Sequence, residues 1–261
     1  MNNFTTKIFP KSRIATQDIC AMGLRKHHVV VMIELDVTAA RAKLKEHKKR
    51  RERISFFGWL IKAISVSIKD HRPVAAFLKG KRKLFIFNDI NVSVAIEKEI
   101  AGNRVPIPLV IEKANEKTIE AITTEFSQAK EQVLTDQDIV LQNKSNRLEQ
   151  MYYVLPGFIR RWFWHYLTSH PRFAFNKMGN VAITSVGGLG GANAWFTPIS
   201  VHPVCFGIGD VVKKPVVIND SIEIREILNM TILLDHDVAD GMEMARFIKR
   251  LKNNIEQGVD L

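Results

Sequence analysis

Apolar residues recur along the chain at two spacings, and the change from one to the other marks its elements. A period near 3.6 predicts helices. Phe56, Phe57, Leu60, Ile61, Ile64 and Ile68 form a wide apolar face behind a Ser55 cap. That helix should end at Asp70-His71-Arg72-Pro73, because the residue before proline avoids helical backbone. Ile119, Ile122, Phe126, Ala129 and Val133 repeat the pattern after Thr118, and Met244, Phe247, Ile248, Leu251 and Ile255 repeat it after Gly241. A basic helix is expected over residues 39–53, with Thr38 able to cap it. β-branched and alternating runs predict strands at residues 29–36, 84–87, 92–96, 105–111, 180–186, 204–212, 221–225 and 228–234. Asn88-Asp89 and Ala101-Gly102-Asn103 read as turns. Residues 1–28 look polar and irregular, with His71 a polar helix terminus and residues 134–150 a helix end or loop. There is no internal repeat, linker or regular βαβ rhythm. The prediction is a single α+β domain over residues 1–261, a mixed β-sheet sandwiched with helices.

Composition adds limits. With 46% hydrophobic and 25% charged residues in 261, the chain can bury its core without staples. Cys20 and Cys205 form no CxxC, so a disulfide framework is not expected and a reducing cytoplasm is. The N-terminus lacks the charged and apolar regions of a signal peptide. No apolar run reaches the roughly 20 residues that span a bilayer. A net charge of +11 calls for anionic partners. Nucleic acid is not the expected one, since no zinc-finger, RNP-like or basic-heptad pattern accompanies the charge. The run Lys43, Lys45, Lys48, Lys49, Arg50, Arg51, Arg53 reads first as a solvated face, and alternatively as a landing site for phosphates or an acidic carrier domain.

Residues 151–167 differ in character. They hold two of the four tryptophans and all three tyrosines, with Arg160 and Arg161 in their middle and Pro156-Gly157 as a break. Three readings stand: a core or subunit-interface helix, the wall of a substrate channel, or a helix lying in a membrane interface.

The most chemical stretch is Asp235-His236-Asp237-Val238-Ala239-Asp240-Gly241. A histidine at a strand end can take a proton from a thiol or hydroxyl and make it a nucleophile. Attack on an ester or thioester then creates an oxyanion that needs a fixed donor. Thr184, with Ser185 as the second candidate, ends a strand before Gly187-Gly188-Leu189-Gly190-Gly191 and could supply that donor. Those glycines fit neither a Walker A nor a Rossmann pattern, and suit a tight turn or close backbone approach to a ligand. Asp240 can order the turn, and Gly241 would permit a tight entry into the last helix. No metal-ligand pattern is present.

This His-x-x-x-Asp-Gly stretch, with Ala245-Arg246-Phe247 after it, resembles the terminal motif of the acyltransferase catalytic domain of 2-oxo acid dehydrogenase complexes, a pattern shared by chloramphenicol acetyltransferase. Ala182-Ile183-Thr184-Ser185-Val186-Gly187-Gly188-Leu189-Gly190 resembles the same family's hydroxyl-bearing strand. Weaker likenesses extend the resemblance over about residues 25–257. It implies a chloramphenicol acetyltransferase-like fold assembled as homotrimers or a larger cage, with each site shared between two subunits. It also implies coenzyme A as a substrate, His236 as general base on its thiol or on that of dihydrolipoamide, Thr184 where the family has a serine, and Asp240 in a structural role with Arg25 as its candidate cation. This sequence departs from the pattern in having Asp237 where the family has arginine and in a longer, more aromatic stretch at residues 145–175. No lipoyl or subunit-binding domain is expected before the motif region. The expectation is therefore a stand-alone acyltransferase served by coenzyme A or a lipoylated protein in trans. The alternative is a non-catalytic assembly or membrane-associated module on the same fold, peripheral rather than integral.

Overall fold

The structure is a computed structural model that describes residues 3–6, 9, 12–100, 103–131, 152, 154–185 and 193–261. The expected loop at 134–150 and the glycine run at 187–191 lie outside the described residues. In chain order the elements are α1 (Ser12–Gly23), β1 (His28–Asp36), α2 (Thr38–Lys49), α3 (Phe56–Lys69), a short 3₁₀ turn (Arg72–Ala75), β2 (Phe77–Lys79), β3 (Lys83–Phe85), β4 (Val92–Ile100), β5 (Asn103–Ile111), α4 (Ile119–Glu131), α5 (Gly157–Ser169), α6 (Pro171–Met178), β6 (Val181–Ser185), β7 (Val204–Ile218), β8 (Ser221–Asp235) and α7 (Gly241–Glu256).

Six strands form one mixed sheet in the order β1-β8-β7-β6-β4-β5, and β2 and β3 make a separate two-stranded piece. β6 runs parallel to β4 and β7; the other neighbours are antiparallel. Because side chains alternate across a strand, register sorts them into two faces. Val29, Val31 and Leu35 share one face with Leu228, Met230, Ile232, Leu234, Val204, Phe206 and Ile183. These pack against Trp59, Leu60, Ile64 and Ile68 of α3 and Phe247, Leu251 and Ile255 of α7 in the main core. The opposite face carries Asp235, Thr231, Gly207 and Thr184 in matching register. Residues 194–200 run over part of it: a side chain on Gly207 would meet the Phe196 carbonyl, and one on Gly209 the Ala194 carbonyl.

The helix predictions at α3, α4 and α7 hold. Ser55 Oγ accepts from Gly58 N at 2.9 Å, and Thr118 Oγ1 accepts from Ala121 N. Several other expectations are corrected. Residues 12–23 are helical, and the helix is tied down by Tyr152 and Arg160, which hold Asp18 from far along the chain. The basic helix stops at Lys49, and Thr38 does not cap it: its own N–H donates to Asp36 Oδ1 while its hydroxyl accepts from Glu226 N. Most of the run's cations are exposed, as a solvated face requires, though Lys43 reaches the Gln257 carbonyl at 3.0 Å. The strands read at 204–212, 221–225 and 228–234 are two 15-residue strands. They are joined through Asn219 and Asp220, both with positive φ, the two-residue turn whose twist matches a hairpin.

Candidate active site

β8 ends at Asp235, and the next residues fold back as a turn. Asp235 is fully buried, and its carboxylate receives Lys26 Nζ at 2.7 Å. The same side chain accepts from Asp237 N, and its carbonyl accepts from Val238 N and Ala239 N. One paired charge thus knits the whole turn, and a buried charge needs such pairing. His236 follows, exposed at the side chain, with its backbone N–H donating to the His27 carbonyl at 3.0 Å. The segment before β1 and the turn after β8 therefore hold each other.

Asp237, the departure that set a negative charge beside His236, is engaged by His27 Nδ1 at 2.9 Å. That contact raises the His27 pKa, first through the hydrogen bond and then through the charge of Asp237. Asp240 is the N-cap of α7: its carboxylate accepts from Glu243 N at 2.9 Å. The pairing of Asp240 with Arg25 is corrected. Arg25 is exposed and no ion pair joins it to Asp240; the cation that closes this turn is its neighbour Lys26, acting on Asp235. The expected role of Gly241 is also corrected. Its φ is not positive, and a side chain there would meet nothing within 4 Å, so the helix entry does not require glycine. His71, read as a polar terminus, pairs with Glu243 Oε1 at 3.0 Å across to α7.

Thr184 and Ser185 are adjacent on β6 and so point to opposite faces. Thr184 is half-buried on the face that also carries Gly207, Thr231 and Asp235. Asp235 lies four residues beyond Thr231, about 14 Å along the strand, and Thr184 lies two strands from β8, about 10 Å across. The hydroxyl of Thr184 and the ring of His236 cannot reach one reacting atom within a single chain.

Two further histidines stand behind the turn. His28 Nε2 donates to the His202 carbonyl at 2.9 Å, and burial lowers its pKa. His202 Nε2 donates to the Met178 carbonyl at 2.8 Å, leaving Nδ1 to accept from Ser200 Oγ. Burial pushes the Cys205 thiol up to about 12, which leaves it inert as a nucleophile. Among the described residues no group of three or more His, Cys, Asp or Glu side chains could hold a metal ion.

A family model of the 2-oxoacid dehydrogenases acyltransferase catalytic domain matches residues 15–139 and 176–261. The chain belongs to this family. It is 24% identical over 271 residues to the lipoamide acyltransferase component of the branched-chain alpha-keto acid dehydrogenase complex of Bacillus subtilis, covering 95% of this chain and 54% of that protein. The chain thus spans about half the length of this relative. A probable dihydrolipoamide acetyltransferase from Listeria monocytogenes superposes with a TM-score of 0.71 at 21% identity, covering 99% of this chain and 97% of that one. Dihydrolipoamide acetyltransferase of Azotobacter vinelandii, whose structure addresses the role of a serine, a histidine and an asparagine in its catalytic mechanism, gives 0.70 at 18%, covering 97% and 93%. The likeness of fold reaches chloramphenicol acetyltransferase, at 0.51 and 11%, covering 96% and 100%. The acyltransferase resemblance and the α+β fold are thereby established. The stretch between the two matched parts contains α5.

Proposed function

We propose that this protein transfers an acyl group between coenzyme A, or a lipoylated carrier in trans, and an acceptor thiol, at sites shared between two copies in a homotrimer or larger assembly. The observation that carries this reading is the separation of Thr184 from His236. Thr184 is half-buried on β6 and His236 is exposed in the turn directly after β8, and they are too far apart to act together in one chain. Two further features favour assembly. Val30 and Met32 are exposed on the same sheet face as Thr184, and Val217, Ile222 and Ile224 are exposed on the part of the β7–β8 hairpin that extends past β1. The serine, histidine and asparagine of the Azotobacter vinelandii enzyme have the same spacing along their chain as Thr184, His236 and Asp240 have along this one.

In this reading the His236 ring accepts the proton of the attacking thiol as sulfur bonds to the thioester carbonyl carbon. The carbonyl oxygen becomes an oxyanion and accepts a hydrogen bond from Thr184 of the neighbouring copy. Collapse breaks the original carbon–sulfur bond, and the departing thiolate takes the proton back from His236. Asp240 acts at one remove, fixing the start of α7 and thus the turn that carries His236. The His27–Asp237 pair holds the added negative charge to one side.

The test is acyl transfer between acetyl-coenzyme A and free dihydrolipoamide. His236→Ala should lower the rate at least about 100-fold with the fold and oligomer intact. Thr184→Ala should cost about 100-fold, mainly in kcat, and Thr184→Ser should keep most of the rate. A near-normal rate for His236→Ala would show that another group is the base.

A further inference from the structure

Among the described residues, the contacts of α5 with the rest of the protein come from one face. On that face Arg160 Nε and the Tyr152 hydroxyl both donate to Asp18 Oδ2 of α1 at 2.7 Å, and Trp164 Nε1 donates to the Tyr152 hydroxyl at 2.8 Å. Leu167 is buried with Phe77, Ala174 and Phe175. These contacts fix the rotation of the helix. The opposite face, four residues apart at each step, is Phe158, Trp162 and Tyr166. Phe158 is 65% exposed and Trp162 66%, and exposed Phe173 lies edge-on to Tyr166. A surface helix ordinarily turns polar residues outward. Here the outward face is an aromatic ridge.

Charge narrows the occupant. Between residues 152 and 179 there is no aspartate or glutamate, while Arg161 and Arg172 are exposed and Lys177 is half-buried. Two such ridges packed face to face would set Arg161 and Arg172 against like charge. Single-stranded nucleic acid needs a groove that tracks the backbone as well as aromatics to stack on, and a lone helical ridge provides no groove. Exposed Phe, Trp and Tyr beside arginines, without acids, is the composition of helices that lie at headgroup level on anionic bilayers. The 13 residues of α5 are too few to cross a bilayer, and among the described residues no helix is long and apolar enough to do so. The helix also lies in the stretch that the family model does not match.

We propose that α5 docks this protein on anionic phospholipid membranes. Phe158, Trp162 and Tyr166 enter the headgroup–acyl boundary, and Arg161 and Arg172 pair with lipid phosphates. None of these side chains belongs to the acyl-transfer site, so the two functions fail independently.

The experiment is co-sedimentation of the full chain with vesicles of phosphatidylcholine alone or with phosphatidylserine at about one third, a content that gives a strongly negative surface. Wild type should sediment with the anionic vesicles, less so in high salt, and hardly at all with neutral ones. Phe158→Ser/Trp162→Ser should lower the partition coefficient at least about tenfold while leaving the acyl-transfer rate unchanged. Arg161→Glu/Arg172→Glu should abolish the preference for phosphatidylserine. Three results would overturn the proposal. One is failure of wild type to bind anionic vesicles at low salt. Another is undiminished binding by both double variants, which would place the contact on α2. The third is a change of oligomeric mass in the serine variant, which would make the ridge a contact between copies.

Discussion

At the scale of single residues, the turn after β8 is governed by groups that meet only in the fold. Lys26 and Asp235 are 209 positions apart, and nothing local marks them as a pair. His236, Thr184 and Asp240 could be singled out as candidates because short motifs carry them. The Arg25 pairing failed because a one-residue step along the chain before β1 decides which cation turns inward. His202 carries a testable consequence. Burial pushes its pKa down to about 4. The unfolded chain takes up that proton near pH 6.5, whereas the folded chain does not until about pH 4. Folding stability should therefore rise with pH across that window and be lost as pH falls through it, by roughly 3 kcal/mol in all. Urea midpoints at pH 7.5, 6 and 5 would show the slope, and His202→Gln should flatten it. The remaining slope would include His28, whose lowered pKa acts in the same direction.

At the scale of elements, periodicity sufficed wherever a helix buries one face on its own terms, as in α3, α4 and α7. It missed α1, whose ties run to Asp18 from distant Tyr152 and Arg160. It split β8 in two at Glu226 and Ile227, because the outer end of the β7–β8 hairpin lies on no core and so shows no buried alternation. The entry to β6 shows how an element is aimed at the site. Gly179 has φ +74°, and a side chain there would collide with the Asn91 carbonyl, which itself accepts from Asn180 N and Val181 N. Gly179→Ala should destabilise the protein by about 2–3 kcal/mol and lower activity in proportion to the displacement of Thr184. Thermal unfolding beside the acyl-transfer rate would check both.

At the scale of the whole molecule, the proposed site draws Thr184 and His236 from different copies, and this can be tested directly. Mixing two inactive proteins, His236→Ala and Thr184→Ala, dissociated and reassembled together, should restore about a quarter of the wild-type rate, since a shared interface then pairs an intact histidine with an intact threonine at that frequency. No recovery from verified mixed oligomers would place the whole site within one subunit. By itself the sequence determined the α+β class, most of the helices, the acyltransferase family and the side chains suited to its chemistry. These follow from local periodicity and short motifs, which the chain carries without reference to its fold. Only the tertiary structure decided that Lys26 rather than Arg25 closes the turn, that Thr184 rather than Ser185 shares the face of Asp235, and that α5 turns its aromatics outward. Each of these depends on strand register or on contacts between residues far apart in the chain, and neither is encoded in the spacing of neighbours.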